Sequence, residues 1–96
     1  MSNTLEVPVT TKDTDTGNIL GKPYNVVLHN DETHSQDEVV AQLMKATRCS
    51  SSDAYRIMME AHNTGRAVAF SGGLERCELV SSILEEIKLG TKIEQA

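Results

Sequence analysis

With 96 residues and a formal net charge of −5, from nine Lys and Arg against fourteen Asp and Glu, the chain has room for one domain with one core and one shallow site. A domain this small buries only about 60% of the surface its unfolded chain exposes. The acidic balance argues against nucleic acid or an anionic membrane as the main partner, because both demand clustered Lys and Arg, and it suits a cationic ligand group or a basic partner surface better.

Met1 to Gly21 is polar, with Leu5, Val7, Val9 and Ile19-Leu20 scattered through it and Pro8 and Gly17 interrupting any period. Such a stretch buries too little apolar surface to order itself, so residues 1–22 are expected to form a flexible N-terminal extension ahead of a core domain over 23–96. The N-terminus lacks a basic n-region, and no apolar run approaches the roughly 18 residues of a membrane span. A cytoplasmic protein is expected, or a stromal one if a plastid transit peptide has been removed.

Pro23 holds Lys22 extended and leads into a strand over Tyr24 to His29. Tyr24, Val26 and Leu28 alternate with Asn25, Val27 and His29, so one face is apolar, and the strand delivers Asn30 and Asp31 to a loop. Ser35 with Glu38 three residues on makes a capping box, which starts a helix at about Gln36. Its core stripe is expected to be Val39, Val40, Leu43, Met44 and Thr47. Arg48 and Cys49 break that pattern, and Ser50 with Asp53 signals a second helix, in which Ala54, Ile57, Met58 and Ala61 keep the spacing of a buried face.

Gly65 fits the residue that ends this helix, since it takes φ > 0 without a Cβ penalty. A short strand from Arg66 to Ser71, built around Val68 and Phe70, is expected next. Gly72-Gly73 marks a loop. A third helix then runs from Leu74 to about Leu89 with Cys77, Val80, Ile83, Leu84 and Ile87 inward, closed by Gly90, and Thr91 to Glu94 forms a last strand. The order β-α-α-β-α-β predicts an α/β sandwich: a three-stranded sheet packed against three helices. Cys49 and Cys77 are too few and too far apart for a disulfide framework or a Cys-x-x-Cys metal site, and read as buried reduced thiols.

Catalysis has little support. There is no Gly-x-Ser-x-Gly, no phosphate loop and no cluster with metal-ligand spacing, and a set such as Ser35, His62 and Asp31 arises by chance in a chain of this size. His29 and His34 have no comparable partner in the sequence.

Tyr24-x-Val-Val-Leu-x-Asn30-Asp31, then Glu38-x-Val40, then Ala54-x5-Glu60-Ala61-His62-x2-Gly65-Arg66-Ala67 and the closing Leu89 to Ala96 resemble the ClpS family. The likeness covers roughly three quarters of the chain, and its motifs are specific in combination though weak singly. The resemblance implies a non-enzymatic adaptor that binds proteins with destabilising N-terminal residues (Leu, Phe, Tyr, Trp). It implies delivery of those proteins to the N-terminal domain of a Clp AAA+ unfoldase, of ClpA or ClpC type, and its peptidase, with the N-terminal extension taking part. No cofactor is implied. The alternative is a ClpS-like regulator that docks on the unfoldase and changes its substrate choice without reading N-termini.

By resemblance, Asn30, Asp31 and His62 contact the substrate α-amino group, and an α-ammonium does need acceptors and a compensating carboxylate when partly desolvated. Taken alone, an Asn-Asp pair after a strand is equally a turn bonding its own backbone, and His62 equally suits a helix C-terminus. The matching side-chain pocket is Gln36, Val39, Met58, Ala61 and Leu89, where Val39 and Met58 also read as ordinary core.

Glu75 and Thr33 match positions that contact the unfoldase, with Glu75 equally a solvated first-turn residue. The chain departs from the family pattern at Gln36, where an apolar gate residue is usual, and at Ala61, where a larger branched residue is common. It also departs in the loop Glu32-Thr33-His34-Ser35, and at Val80, where a Lys is frequent. These changes imply a pocket of altered width and polarity, with the preference among N-terminal residues narrowed or shifted.

Overall fold

In the computed structural model, which describes residues 23–96, the chain runs β1 (Tyr24–His29), α1 (Gln36–Thr47), α2 (Ser51–Thr64), β2 (Arg66–Gly72), α3 (Leu74–Glu85) and β3 (Thr91–Gln95). This is the order read from the sequence. The expected flexible extension lies outside the described residues. The α1–α2 pair sends the chain back along β1, so β2 pairs with it antiparallel. The single helix α3 then carries the chain to the far side of β1, where β3 also pairs antiparallel. The sheet order is β2-β1-β3, which leaves β1 central and paired on both edges.

The first two helix starts follow the side-chain chemistry, while α3 begins after Gly73 with no side-chain cap. Ser35 Oγ accepts from the Glu38 N–H at 3.1 Å while Glu38 Oε1 accepts from the Ser35 N–H at 2.9 Å, the reciprocal capping box. Ser50 Oγ accepts from the Asp53 N–H at 3.1 Å. The core joins Val26 and Leu28 of β1 and Ala67 and Ala69 of β2 to Val39, Leu43 and Ala46 of α1, Ala54, Ile57, Met58 and Ala61 of α2, and Cys77, Val80 and Leu84 of α3. Cys77 is buried and Cys49 half-buried.

Several details depart from the sequence expectation. In β2 the core residues are Ala67 and Ala69, while Val68 is 45% exposed. A bulge causes this: Val26 opposes Phe70 but the next residue, Val27, opposes Val68, leaving Ala69 as the extra residue, which bends the strand and shifts its facing. Val27 lies on the sheet face turned from the helices yet is fully buried, set between Val68 and Lys92 on the flanking strands.

In α1, Met44 is exposed and the inward set is Val39, Gln42, Leu43 and Ala46. Gln42 displaces Met44 from the stripe because its amide has work at the other end of the fold. Nε2 donates to the Ile83 carbonyl at 2.6 Å and to Glu86 Oε1 at 3.2 Å, joining the Glu86 N–H that bonds the same carbonyl at 3.1 Å and so tying α1 to the end of α3. Helix α3 itself ends at Glu85, four residues short of the expected Leu89. Lys88 adopts φ 64°, the Lys88 N–H donates to the Glu85 carbonyl and the Leu89 N–H to the Leu84 carbonyl. That pair of bonds is a Schellman motif, and it turns Leu89 back into the core beside Leu84.

Candidate functional site

The end of β1 is tied to two distant turns through its own backbone. The His29 N–H donates to the Gly90 carbonyl at 2.9 Å, and the Asn30 N–H donates to the Gly65 carbonyl at 3.0 Å. Gly65 is the residue at φ 95° that ends α2, its own N–H donating to the Ala61 carbonyl. The antiparallel ladder of β1 and β2 therefore runs directly into the helix terminus, which brings the last turn of α2, with Ala61 and His62, against the strand end that carries Asn30. On the other side, the turn after α3 supplies Leu89.

Between these parts lies an open recess of about 180 Å³, lined by Leu28, His29, Asn30, Asp31, Glu32, His34, Gln36, Val39, Met58, Ala61, His62 and Leu89. An apolar cavity of about 150 Å³ holds a benzene ring, so the volume matches one large side chain. Its interior wall is apolar and buried: Leu28, Val39, Met58, Ala61 and Leu89. Its mouth is polar. Among the described residues no Lys or Arg lines it, two carboxylates give the mouth a negative charge, and all three histidines of the chain line it. All eight residues that the resemblance assigned to the amino-group contact and the side-chain pocket line this recess. Thr33 and Glu75 do not: Thr33 is exposed on the β1–α1 loop and Glu75 is exposed in the first turn of α3.

The individual groups are in different states. His62 is exposed, and neither ring nitrogen has a partner among the described residues. Asn30 donates through Nδ2 to Glu32 Oε2 at 2.8 Å, which leaves its Oδ1 as an acceptor without a partner among the described residues. Asp31 is occupied within its own loop. Oδ1 accepts from the Thr33 N–H at 2.5 Å and the His34 N–H at 3.2 Å, and Oδ2 faces His34 Nδ1 at 2.5 Å.

Burial would raise the Asp31 pKa. The Thr33 N–H, the His34 imidazole, the Thr33 side chain and the His34 N–H outweigh it and hold the carboxyl at about 2, below its ordinary 3.8. It is therefore ionised at neutral pH, and His34 Nδ1–H is the donor. The carboxylate left open at the mouth is that of Glu32, which is exposed and anchored on one oxygen by Asn30.

His34 and Glu32 are thus site residues that sequence reasoning passed over, and the expectation that His34 has no partner is corrected by its contact with Asp31. A signal for Glu32 was present. An Asp directly after a strand spends its carboxylate on the two or three N–H groups that follow, so the next acidic residue is the one free to face a ligand. Among the described residues no group of three or more His, Cys, Asp or Glu is arranged to hold a metal ion, and no helix is long and apolar enough to cross a membrane.

Comparison with known proteins gives a consistent picture. Residues 21–91 match the family model described as ATP-dependent Clp protease adaptor protein ClpS. The ClpS adapter protein of Gloeobacter violaceus is 39% identical over 72 residues, which is 74% of this chain and 77% of that protein. The Drosophila melanogaster E3 ubiquitin-protein ligase UBR1 is 36% identical over 78 residues, 80% of this chain but only 4% of the ligase. Among solved structures, ClpS2 of Agrobacterium tumefaciens, bound to L-phenylalaninamide, superposes with a TM-score of 0.73 at 26% identity, covering 78% of this chain and 98% of that one.

Proposed function

The chain belongs to the ClpS family of Clp protease adaptors, and from that premise we propose that it binds proteins through a destabilising N-terminal residue of the Leu, Phe, Tyr and Trp class and delivers them to a Clp AAA+ unfoldase–peptidase. The observation that carries this reading is the recess itself, in which acceptors without a partner among the described residues and an exposed carboxylate surround the mouth of a buried apolar niche of one-side-chain size. Few ligands other than a chain start combine a cation, a peptide bond and a hydrophobic side chain within a few bonds of one another.

In this reading the α-ammonium donates to Asn30 Oδ1, to a neutral nitrogen of His62 and to the free oxygen of Glu32. Asp31, locked to Thr33 and His34, keeps the loop in the shape that presents Asn30 and Glu32 and adds its charge to the site. The first side chain enters among Val39, Met58, Ala61 and Leu89, and its burial contributes about 1.5–3 kcal/mol for a Leu or Phe.

Two relatives support the assignment from different directions. L-Phenylalaninamide, the ligand of the Agrobacterium neighbour, is a free α-amine, an amide and a benzyl group and nothing else. The likeness to a short stretch of a ubiquitin ligase joins two machines whose common need is to choose which proteins to destroy. Choice of substrate, with no reaction of its own, is the role this module then plays here, with Glu75 and Thr33, both away from the recess, left for contact with the unfoldase. Residues 1–22 act as a delivery extension ahead of the core domain over 23–96.

Fluorescence anisotropy with peptides that begin with Leu, Phe or Val, each also N-acetylated, tests the reading. Free Leu and Phe peptides are expected to bind, Val weakly, and acetylation to abolish binding because it deletes the ammonium. Glu32→Gln should weaken the free peptides by about tenfold, the scale of one hydrogen bond to a charged group. Equal binding of free and acetylated peptides sinks the proposal and leaves the docking regulator in its place.

A further inference from the structure

One imidazole at the recess is held by the loop and still has an unused nitrogen. His34 lines the recess, and its Nδ1 lies 2.5 Å from Asp31 Oδ2. Asp31 is ionised and only accepts, so the proton of that contact sits on Nδ1, and in the neutral ring Nε2 carries the lone pair. Nε2 has no partner among the described residues. The ring is packed, with a side-chain exposure of 20%, and the backbone N–H of His34 also donates to Asp31, so its position is fixed from two sides. Asp31 stands between Asn30 and Glu32 in the chain, and the side chains of those two are joined at 2.8 Å. His34 is thereby placed on the loop side of the recess, with groups assigned to the α-ammonium.

We infer that His34 is a further binding residue of the recess, its Nε2 accepting from the N–H of the peptide bond that follows the first residue of a bound chain. The inference rests on the reading that the recess takes an N-terminal residue. An ammonium has three N–H donors, and Asn30, His62 and Glu32 take one each. The next donor along the ligand is that amide N–H, a few bonds from the α-nitrogen, and it loses its water as the first residue enters. The other titratable groups that line the recess are Asp31 and Glu32 of the loop, His29 at the end of β1 and His62 of α2. Asp31 is taken up by its own loop, Glu32 and His62 by the ammonium, and His29 stands near enough to Glu94 of β3 to lower its carboxyl pKa. His34 supplies the acceptor left over on the loop. A purely structural His34 would hold Asp31 through Nδ1 and leave Nε2 to water.

The experiment measures, on the full chain, affinities for a peptide that begins with Leu and for its depsipeptide, in which an ester oxygen replaces the first amide N–H. At about pH 8, where an imidazole is ordinarily neutral, wild type should bind the ester about three- to tenfold more weakly, the scale of one hydrogen bond. Part of an ester deficit belongs to the ligand itself, so its dependence on His34 decides. His34→Asn keeps a donor for Asp31 on its shorter amide and places nothing where Nε2 lies, so its ester deficit should be several-fold smaller. At about pH 5 a protonated His34 has donors on both nitrogens and no acceptor, and the wild-type deficit should shrink in the same way. Protonation of His62 or Glu32 weakens amide and ester alike and cancels from the ratio. Equal deficits in wild type and His34→Asn overturn the inference, as does a wild-type deficit that is absent or unchanged between the two pH values, and each leaves N-terminal recognition standing. The wild-type pH series decides the matter even if His34→Asn folds poorly. Failure of the Leu peptide to bind at all overturns both the inference and the reading beneath it.

Discussion

Replacing Asp31 by alanine removes a carboxylate that is largely buried, with a side-chain exposure of 11%, and that accepts from two backbone N–H groups and the His34 ring. Its carboxyl titrates at about 2 against an ordinary 3.8. That difference, just under two units at about 1.4 kcal/mol each, corresponds to about 2.5 kcal/mol of folding stability carried by the ionised form. The sign follows from the direction. A depressed carboxyl pKa means that the unfolded state binds the proton more readily, so the stabilisation is complete above about pH 4 and fades as the pH falls toward 2.

Urea unfolding of wild type and Asp31→Ala at a series of pH values measures this directly. At pH 7 the variant should be about 2.5 kcal/mol less stable, and the gap should shrink steadily below pH 4 toward the small residue left by the neutral hydrogen bonds. A gap that stays constant from pH 6 to pH 2 would refute the reasoning, since the loop would then owe nothing to the charge of Asp31. A single carboxylate with this much leverage in a domain of marginal stability also ties recess geometry to loop integrity. The same variant should therefore lose peptide affinity, although its carboxylate is turned toward its own backbone.

Gly65→Ala tests the junction that joins β1 to α2. A Cβ there meets nothing within 4 Å, so the cost is the left-handed backbone at φ 95° alone, about 1 kcal/mol by chemical denaturation; a loss of several kcal/mol would mean that the turn is packed more tightly than its surroundings indicate. Gln42→Ala should cost about 0.5–1.5 kcal/mol by the same measurement, because the Ile83 carbonyl loses its 2.6 Å partner but still accepts from the Glu86 N–H at 3.1 Å. Gln42→Glu should be still worse near neutral pH, since it loses the donor and sets a carboxylate beside Glu86; a neutral result would show that the end of α3 is capped by water.

The helices were legible because their signals are local. Ser35 with Glu38, Ser50 with Asp53 and Gly65 each act within one turn, and the apolar spacing of Ala54, Ile57, Met58 and Ala61 needs no information from elsewhere. Signals that depend on a partner were misread. Val68 outweighs Ala67 and Ala69 in hydrophobicity, and nothing in the sequence marks the bulge that turns it outward while Phe70, opposite Val26, still packs against the core. Lys88 in place of glycine at the left-handed position hid the end of α3, and Gln42 reads as a surface residue until the terminus of α3 is set against it.

At the site, the sequence by itself determined the residue types: acceptors at a strand end and at a helix end, and apolar positions spaced to face a core. Only the tertiary structure decided which of them share a mouth. The Asn30–Gly65 and His29–Gly90 backbone bonds draw one strand end against two turns about 35 and 60 residues further along the chain, and such closure is a matter of ladder register and loop entropy, with no local trace. The tertiary structure likewise divided the work between adjacent acids. The N–H groups of the loop claim Asp31 because their geometry reaches only that carboxylate, while the longer side chain of Glu32 extends past them to the open side of Asn30.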